Sequence, residues 1–436
     1  MAKTLTDRIL GVETEFGCLV RGDSFETPEK AVHAIKDHIF NNMKIGLIDK
    51  HVRDEVFEPA GYGGFLINGS RLYVDAVGSH LEYSTAECRS LKDLIANDKA
   101  GQRLIIQAIK EMGLEEEVDI YNNSVDHFGG HTFGCHENYL IHMEEDFFSN
   151  HVKMLYPFLV TRQIFAGTGR VGGHLLSDSL SRPSFKDVEE NPIDYIWVSQ
   201  VYSVSADENI QYQLSQRSDH ILKTVASRVR FNRAFINPKW EQYYSYEKMQ
   251  RLHLLFGEAN QSEYAYALKI GTTLLVLKLI EDGLVPPDLQ LYDPVKDLKA
   301  VSRCSDFQWE VKLQNEQIVP AIEIQRRYLS LAQKQYRGES EETDWVLNEW
   351  ESVLDGLESD PLKLSGKIDW VAKLMILSEY IKDHHLTWKD ESLHSVDMEY
   401  HNINPQLGLY YALQDNGVMR RYINEVDIAE IGRAHV

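Results

Sequence analysis

Cysteine is scarce in this chain of 436 residues, and the few cysteines form no recognisable pattern. Cys18, Cys88, Cys135 and Cys304 show neither CxxC nor paired Cys/His spacing. This argues against a structural zinc site and against the disulfide framework of a secreted domain. We therefore expect a protein of the reducing cytoplasm.

Positive charge is also in short supply. The chain has 45 Lys and Arg against 67 Asp and Glu, a formal net charge of −22. A chain this acidic repels the phosphate backbone of nucleic acids, so we expect no nucleic-acid partner. A local basic patch would still be able to receive an anionic partner.

Long hydrophobic runs are absent. The longest apolar run, Ile270–Ile280, contains Lys278 and is shorter than the roughly 20 apolar residues that span a bilayer. The N-terminal residues form no apolar segment typical of a signal peptide. With 43% hydrophobic and 26% charged residues, the composition is that of a soluble globular protein, and we expect no membrane association.

The common phosphate-binding loops are missing as well. There is no GxxxxGK[ST], and Gly11–Gly17 does not match GxGxxG. Gly167–Gly173 is rich in glycine but is interpreted as a loop. A P-loop or Rossmann fold is therefore not supported.

The elements that are present alternate between strand and helix in the first third. Arg8–Val20 is predicted as a strand and Pro28–Asn42 as a helix, and Asn68–Gly69 predicts a hairpin turn. Phe147–Gly167 is predicted as one helix, whereas the polar stretch Val171–Asn209 is predicted as a loop excursion.

The chain is predicted to be mostly helical from about Ile318 onward. A boundary near Asp360–Pro361 divides it into residues 1–360, a catalytic domain, and 361–436, a small C-terminal domain. About 75 residues are few for independent stability, so we expect the C-terminal unit to pack on the larger one.

Oxygen ligands are concentrated on three predicted strands. Glu13 and Glu15 are two residues apart, as are Tyr73 and Asp75, so each pair shares one face of its strand; Glu82 lies on the next strand. Such acids repel one another unless a cation lies between them, and hard oxygen ligands suit Mg²⁺ or Mn²⁺. The alternative is that they are solvent-facing acids on edge strands, and the residues alone leave both interpretations open.

Two histidines and two arginines are further candidates. His136 and His253 are able to face the same pocket, although a single strand histidine is more often structural. Arg71 and Arg217 are candidates for phosphate recognition through bidentate contacts, although most arginines are surface residues.

Several motifs together resemble the Pup ligase and Pup deamidase/depupylase (Dop) family. They run in order along the chain as far as about residue 425, and they include Gly11–Gly17, Asn68–Asp75, Gly78–Cys88, Gly134–Tyr139, Leu214–Asp219, Arg251–His253 and Lys269–Thr273. The resemblance implies an α+β fold of glutamine-synthetase type. It consists of a curved antiparallel sheet that cradles the active site, helices packed on the other face and a small C-terminal domain. It also implies that ATP and Mg²⁺, with Mn²⁺ as an alternative, bind over the sheet.

The resemblance also assigns roles to single residues. It implies Glu13, Tyr73 and Glu82 as metal ligands, Glu15, His136 and His253 as second-metal or phosphate-side residues, Arg71 and Thr85 as ATP contacts, Arg217 beside the transferring phosphate, and Asp75 as the catalytic carboxylate. Lys239 stands where the family has arginine, so it keeps the charge but not the bidentate fork. Tyr243 stands where the family has histidine.

The implied activity is an ATP- and Mg²⁺-dependent ligase reaction. The enzyme would phosphorylate the C-terminal side-chain carboxylate of a small Pup-like modifier and ligate it to an acceptor, so its partners would be this disordered modifier and its conjugated targets. A Dop-like deamidase or deconjugase is one alternative. A small-molecule carboxylate–amine ligase or a non-catalytic homologue is another.

A group of arginines is a candidate for the surface that receives an acidic modifier. The alternative is that these are scattered surface charges. The residues are Arg162, Arg170, Arg228, Arg230 and Arg233.

Overall fold

Sixteen strands lie in the part of the chain that the computed structural model describes, residues 8–51, 61–75, 80–127, 131–142, 147–178, 202–226, 233–238 and 249–433. They are β1 Leu10–Val20, β2 Gly46–Ile48, β3 Gly63–Leu66, β4 Arg71–Asp75, β5 His80–Ser84, β6 Val118–Tyr121, β7 Cys135–His142, β8 Arg170–Val171, β9 His174–Asp178, β10 Tyr202–Ala206, β11 Tyr212–Gln213, β12 Lys223–Val225, β13 Ala234–Ile236, β14 Met249–Leu254, β15 Glu310–Lys312 and β16 Ile318–Pro320.

Twelve α-helices lie in the same described ranges. They are α1 Pro28–Asp37, α2 Leu91–Glu111, α3 Phe147–Asn150, α4 Tyr156–Ala166, α5 Glu263–Glu281, α6 Pro294–Arg303, α7 Ala321–Tyr336, α8 Glu341–Ser359, α9 Asp369–His384, α10 Ser392–Glu399, α11 Leu409–Asp415 and α12 Glu425–Arg433.

One ten-stranded sheet organises the molecule. Its order is β12-β13-β14-β7-β1-β5-β4-β3-β2, and β6 pairs with the second half of β1. Every pairing is antiparallel except that of β12 with β13. This confirms the predicted α+β class with an antiparallel sheet.

The central strand β1 separates an apolar face from an acidic one. Val12 and Phe16 are buried in the two main hydrophobic clusters, whereas Glu13 and Glu15 on the opposite face are only partly buried. Because side chains alternate along a strand, the same sequence supplies both faces. The acidic face therefore has a rigid, helix-packed layer behind it.

Helix α5 lies within the core. It contains the apolar run Ile270–Ile280, and its residues are buried around the whole helix, including Lys269. A helix that is apolar on all sides is expected at the centre of a large domain. No helix in the described ranges is both long enough and apolar enough to cross a membrane.

Two predicted segments differ from the structure. The single helix predicted over Phe147–Gly167 is divided into α3 and α4, because Pro157 in the first turn of α4 cannot continue a preceding helix. The loop predicted over Val171–Asn209 contains β9 and β10, which pair with each other. The loop was predicted because the segment is rich in polar residues. Residues 179–201 lie outside the described ranges.

The chain after Pro361 packs against the preceding part, as predicted. Trp370 donates its indole N–H to the carbonyl oxygen of Ile164 at 2.9 Å, and Ile423 and Ile428 belong to the largest hydrophobic cluster. The division into residues 1–360 and 361–436 stays a prediction.

A buried ion pair joins β7 to α4 directly beneath the acidic face. Both guanidinium nitrogens of Arg162 donate to the carboxylate of Glu137, at 2.9 and 2.6 Å, and both side chains are at most 2% exposed. Removing one partner of such a pair leaves an uncompensated buried charge.

Glu137→Gln is therefore expected to lower the free energy of unfolding by about 3–5 kcal/mol. Glu323→Gln is the matched control, because Glu323 forms an exposed pair with Arg327 and its loss should cost less than about 1 kcal/mol. Chemical denaturation measures both, and equal effects would contradict the structural role of Glu137.

Candidate functional site

Strand register brings the candidate ligands together on the acidic face of the sheet. Glu13 of β1 lies opposite His136 of β7, and Glu15 lies opposite Glu82 of β5. Glu82 in turn lies opposite Tyr73 of β4. Directly opposite residues on one face have Cβ atoms about 4.5–5.5 Å apart, so their side chains converge.

The first group combines one carboxylate with two imidazoles. Ligand atoms of Glu13, His136 and His253 lie within 4.8 Å of one another. Glu13 Oε2 is 3.4 Å from His136 Nδ1 and 3.5 Å from His253 Nε2. Burial opposes ionisation of Glu13, but the contacts and charges of the two histidines hold its pKa well below the usual range.

The His253 ring is buried without a well-formed hydrogen bond from either nitrogen to any described residue. Burial is the main reason that its pKa falls to about 4, while Glu13 acts in the opposite direction. A neutral imidazole with an available nitrogen is the form that binds a metal.

The second group consists of carboxylates alone. Ligand oxygens of Glu15, Asp75 and Glu82 lie within 4.8 Å of one another. Burial and then the charges of Asp75, Glu15 and Glu13 raise the pKa of Glu82 well above its usual range. Burial also acts to raise the pKa of Glu15, but its contact with His80, at 3.1 Å, and other favourable contacts lower it to about 2.

The raised pKa of Glu82 reflects its burial beside three other carboxylates, whereas His80 lowers the pKa of Glu15 in spite of its burial. A divalent cation among the carboxylates would offset the repulsion that contributes to the raised pKa of Glu82. The all-oxygen group fits a hard cation such as Mg²⁺, and the group with two imidazoles adds nitrogen ligands that Mn²⁺ accepts. The residues therefore fit divalent cations at both positions.

This grouping differs from the one implied by the family resemblance. The resemblance placed Glu13 with Tyr73 and Glu82; in the structure Glu13 contacts His136 and His253, and its charge also acts on Tyr73 and Glu82, so the assignment of metal ligands stays a prediction. Register explains the difference, because β7 lies on one side of β1 and β5 on the other. Tyr73 stays next to Glu82, and burial followed by the charges of Glu82 and Glu13 raises the pKa of its phenol.

A cavity of about 330 Å³ opens beside the first group. It is bounded by Glu13, Arg71, Thr85 and Arg251, among others. The Arg71 guanidinium lies 4.3 Å from the centre of the Tyr73 ring, and the Thr85 hydroxyl accepts a hydrogen bond from the backbone N–H of Val12 at 3.0 Å. Arg71 and Thr85 therefore both line this cavity, and their contact with a nucleotide stays a prediction.

Two arginines, Arg217 and Arg233, lie near enough to Glu15 to interact with its charge. Arg217 is 3% exposed and donates to the carbonyl oxygen of Phe133 at 3.4 Å, but its Nε has no partner among the described residues. Burial, and then the charge of Arg217, lower the pKa of Arg233 to about 9, although Glu15 raises it. Two neighbouring guanidinium groups of this kind form a suitable environment for an anion.

The proposed basic surface is wrong for two of its five arginines. Arg162 and Arg170 are each 2% exposed, and they contact Glu137 and His174 inside the protein. They are therefore unavailable to an external modifier. Arg228, Arg230, Lys239 and Tyr243 lie outside the described residues.

Sequence reasoning missed three side chains that contact the acidic groups. His80 contacts Glu15, while Asn138 and Arg251 contact Glu13. Asn138 and Arg251 are two residues from His136 and His253 on their strands, so the strand period was the signal that would have found them.

A sheet that holds two groups of candidate cation ligands beside a cavity is the arrangement expected of an enzyme active site. The chain belongs to the Pup-ligase family, because the family model described as Pup-ligase protein matches residues 8–434. The family resemblance predicted from the motifs is thereby confirmed.

Curated relatives include both activities of the family. The chain is 36% identical over 372 residues to a depupylase of Acidothermus cellulolyticus, covering 83% of this chain and 67% of that protein. It is 34% identical over 436 residues to a Pup–protein ligase of Kribbella flavida, covering 97% of this chain and 85% of that protein.

Two solved structures share the fold. The complex between the prokaryotic ubiquitin-like protein Pup and its ligase PafA matches with a TM-score of 0.76 and 31% identity, covering 99% of this chain and 81% of the other. PafA in complex with ADP matches with a TM-score of 0.70 and 29% identity, covering 95% and 84%. These matches confirm the predicted glutamine-synthetase-type α+β fold.

Glu82→Gln is expected to stabilise the protein in the absence of cations but to abolish its stabilisation by Mg²⁺. Because it removes a buried like charge, the melting temperature in chelator should rise by about 2 °C, and the stabilisation of the wild-type protein by Mg²⁺ should be lost. Differential scanning calorimetry with chelator and then with Mg²⁺ measures both effects.

Glu111→Gln changes a carboxylate at the exposed end of α2 and should leave both quantities as they are in the wild-type protein. If Glu82→Gln instead melts lower in chelator and keeps the full Mg²⁺ effect, Glu82 is not part of a cation site.

Proposed function

We propose that this protein uses ATP and Mg²⁺ to activate the C-terminal side-chain carboxylate of a Pup-like modifier and to ligate it to an amine of a target protein. The observation that carries the proposal is the pair of acidic groups beside the cavity, in a chain related over 97% of its length to a Pup–protein ligase. The ADP bound by PafA supports nucleotide binding, and the Pup bound by PafA supports the choice of modifier.

The reaction consists of two displacements. A carboxylate oxygen of the modifier attacks the γ-phosphorus of ATP, the bond to the bridging oxygen breaks, and ADP leaves. The amine of the target then attacks the carbonyl carbon of the acyl phosphate, phosphate leaves, and the amine loses a proton. Activation is necessary because a carboxylate is anionic and therefore a poor electrophile.

The acidic groups would hold the cations that this reaction requires. Glu13, His136 and His253 would bind one and Glu15, Glu82 and Tyr73 the other. Bound Mg²⁺ supplies neutralisation of the charge on the transferring phosphoryl group. Mn²⁺ would serve in the same positions.

The remaining candidates surround the transferring group. Arg71 and Thr85 would contact the nucleotide from the cavity, while Arg217 would bind the transferring phosphate near Glu15. Lys239 would add positive charge without bidentate geometry. Asp75, next to Glu82, would accept the proton from the amine.

A depupylase-like activity is the second candidate. It is favoured by the 36% identity to the depupylase of Acidothermus cellulolyticus. In that reaction Asp75 would activate water, or would itself attack the amide carbon of the modifier's side chain. Residence in the reducing cytoplasm stays a prediction from the cysteine content.

An assay with Pup-like modifiers ending in Glu or Gln distinguishes the two activities. Ligation predicts ADP release together with a target whose mass increases by that of the modifier less one water. Deamidation predicts conversion of Gln to Glu without net ADP. Absence of any mass change with every modifier would refute both.

Asp75→Asn should reduce either turnover by at least about 100-fold, because general acid–base catalysis contributes 10²–10⁴-fold. The folded state should persist, because the change removes charge from an acidic group. The control is Asp355→Asn, the same substitution at an exposed position of α8 paired with Arg326. Wild-type turnover in Asp75→Asn would exclude the proposed role.

A further inference from the structure

The two carboxylate oxygens of Glu13 have different partners. Oε1 accepts a hydrogen bond from Asn138 Nδ2 at 3.1 Å and another from Arg251 Nη2 at 2.9 Å. Oε2 faces the imidazoles of His136 and His253 at 3.4 and 3.5 Å. One oxygen is therefore occupied by donors, while the other is directed into the group of candidate metal ligands.

The two donor residues are also bonded to each other. Arg251 Nε donates to Asn138 Oδ1 at 2.9 Å. Because Asn138 Nδ2 and Arg251 Nη2 both donate to Glu13 Oε1, the three side chains form a closed triangle. This triangle uses the fixed orientation of the guanidinium group, which a lysine cannot reproduce.

Strand alternation explains why the triangle lies beside the two histidines. Asn138 follows His136 by two residues on β7, and Arg251 precedes His253 by two residues on β14. Both donors therefore project from the same sheet face as the imidazoles. The pairing of Asn138 with His253 across the two strands fixes this register.

The arrangement limits how a cation can bind Glu13. With Oε1 already bound to two donors, Oε2 alone remains for the metal, so Glu13 is a monodentate ligand. Mg²⁺ takes six ligands in near-ideal octahedral geometry, whereas Ca²⁺ takes six to eight and commonly uses bidentate carboxylates. Preventing bidentate binding thus disfavours the larger ion.

We propose that Asn138 and Arg251 are positioning residues that keep Glu13 monodentate and thereby select Mg²⁺ or Mn²⁺ over Ca²⁺. The inference rests on the proposed function, since it requires that a divalent cation bind at Glu13. It adds a source of metal selectivity to that site.

Metal affinities of the full-length protein test this inference without an activity assay. Isothermal titration calorimetry gives the affinities for Mg²⁺ and Ca²⁺, and electron paramagnetic resonance gives that for Mn²⁺. Asn138→Leu replaces the amide with an apolar side chain of similar size and so removes both of its contacts. Arg251→Lys keeps the positive charge but removes the paired Nε and Nη2 donors. Each variant should lose roughly tenfold in Mg²⁺ and Mn²⁺ affinity, the range known for residues that orient metal ligands.

Affinity for Ca²⁺ should fall much less, because a released Glu13 is able to bind it through both oxygens. The ratio of Mg²⁺ to Ca²⁺ affinity should therefore fall about three- to tenfold relative to the wild-type protein. Asn138→Leu and Arg251→Lys combined should lose little more than either alone, because both changes open the same triangle.

Arg21→Lys is the matched control. Arg21 forms an ion pair with Asp119 at 2.5 Å and is 52% exposed, so this change should leave all three affinities as they are. Thermal unfolding verifies that each variant is folded, and Asn138→Ser replaces Asn138→Leu if the apolar side chain prevents folding.

Three results would overturn the inference. They are equal losses for Mg²⁺ and Ca²⁺, wild-type selectivity in Arg251→Lys, and additive effects in the double variant. Absence of divalent binding in the wild-type protein would instead refute the metal site in the proposed function, and the inference with it.

Discussion

Mutual repulsion among carboxylates on one face of a sheet is the constraint on which the rest of this site depends. Glu13, Glu15, Asp75 and Glu82 project from three adjacent strands into a single space. Burial and the charges of the neighbouring carboxylates raise the pKa of Glu82, whereas the pKa of Glu15 is lowered, in spite of its burial, by its contact with His80. Strongly perturbed carboxylates are typical of functional sites, and the use that we propose for these is to bind cations beside a nucleotide.

The opposite face of the same strands supplies the rigidity that holds these charges together. Thr14 lies between Glu13 and Glu15 on β1, and its hydroxyl donates to the buried Asp98 of α2 at 3.0 Å. Glu137 lies between His136 and Asn138 on β7 and is held by Arg162. Because side chains alternate along a strand, the buried contacts of Thr14 and Glu137 fix the backbone that carries the candidate ligands on the other face. Close packing of β3 against β4 also restricts Tyr73. A Cβ atom added to Gly63 would lie only 2.1 Å from the Cβ atom of Tyr73, so only glycine fits at this position.

Much of this could be predicted from the sequence, because it depends on local spacing. The two-residue periods in β1 and β4 predicted shared faces, and Asn68–Gly69 predicted the hairpin, in which Gly69 has a φ of +88°. The motifs predicted the family. The grouping of Glu13 with two histidines could not be predicted, because it depends on which strand lies on each side of β1. The paired strands β9 and β10 were missed because their pairing is formed between residues distant in sequence, although Tyr202–Ala206 does alternate between apolar residues and serine.

The buried arginines show a further limit of sequence reasoning. A guanidinium group on a helix such as α4 suggests an exposed basic surface unless its partner is known. The partner of Arg162 lies 25 residues away, on β7. Burial of a charge is decided by such tertiary partners and not by the composition of the segment.

The central claim, that the acidic face binds divalent cations in two distinct groups, is tested most directly by anomalous diffraction. Crystals of the full-length protein grown with Mn²⁺ and a non-hydrolysable ATP analogue would be measured at the manganese absorption edge. The account predicts two anomalous peaks, one among Glu13, His136 and His253 and one among Glu15, Glu82 and Tyr73. Bound nucleotide with no anomalous peak at either group, or with peaks only elsewhere, would contradict it.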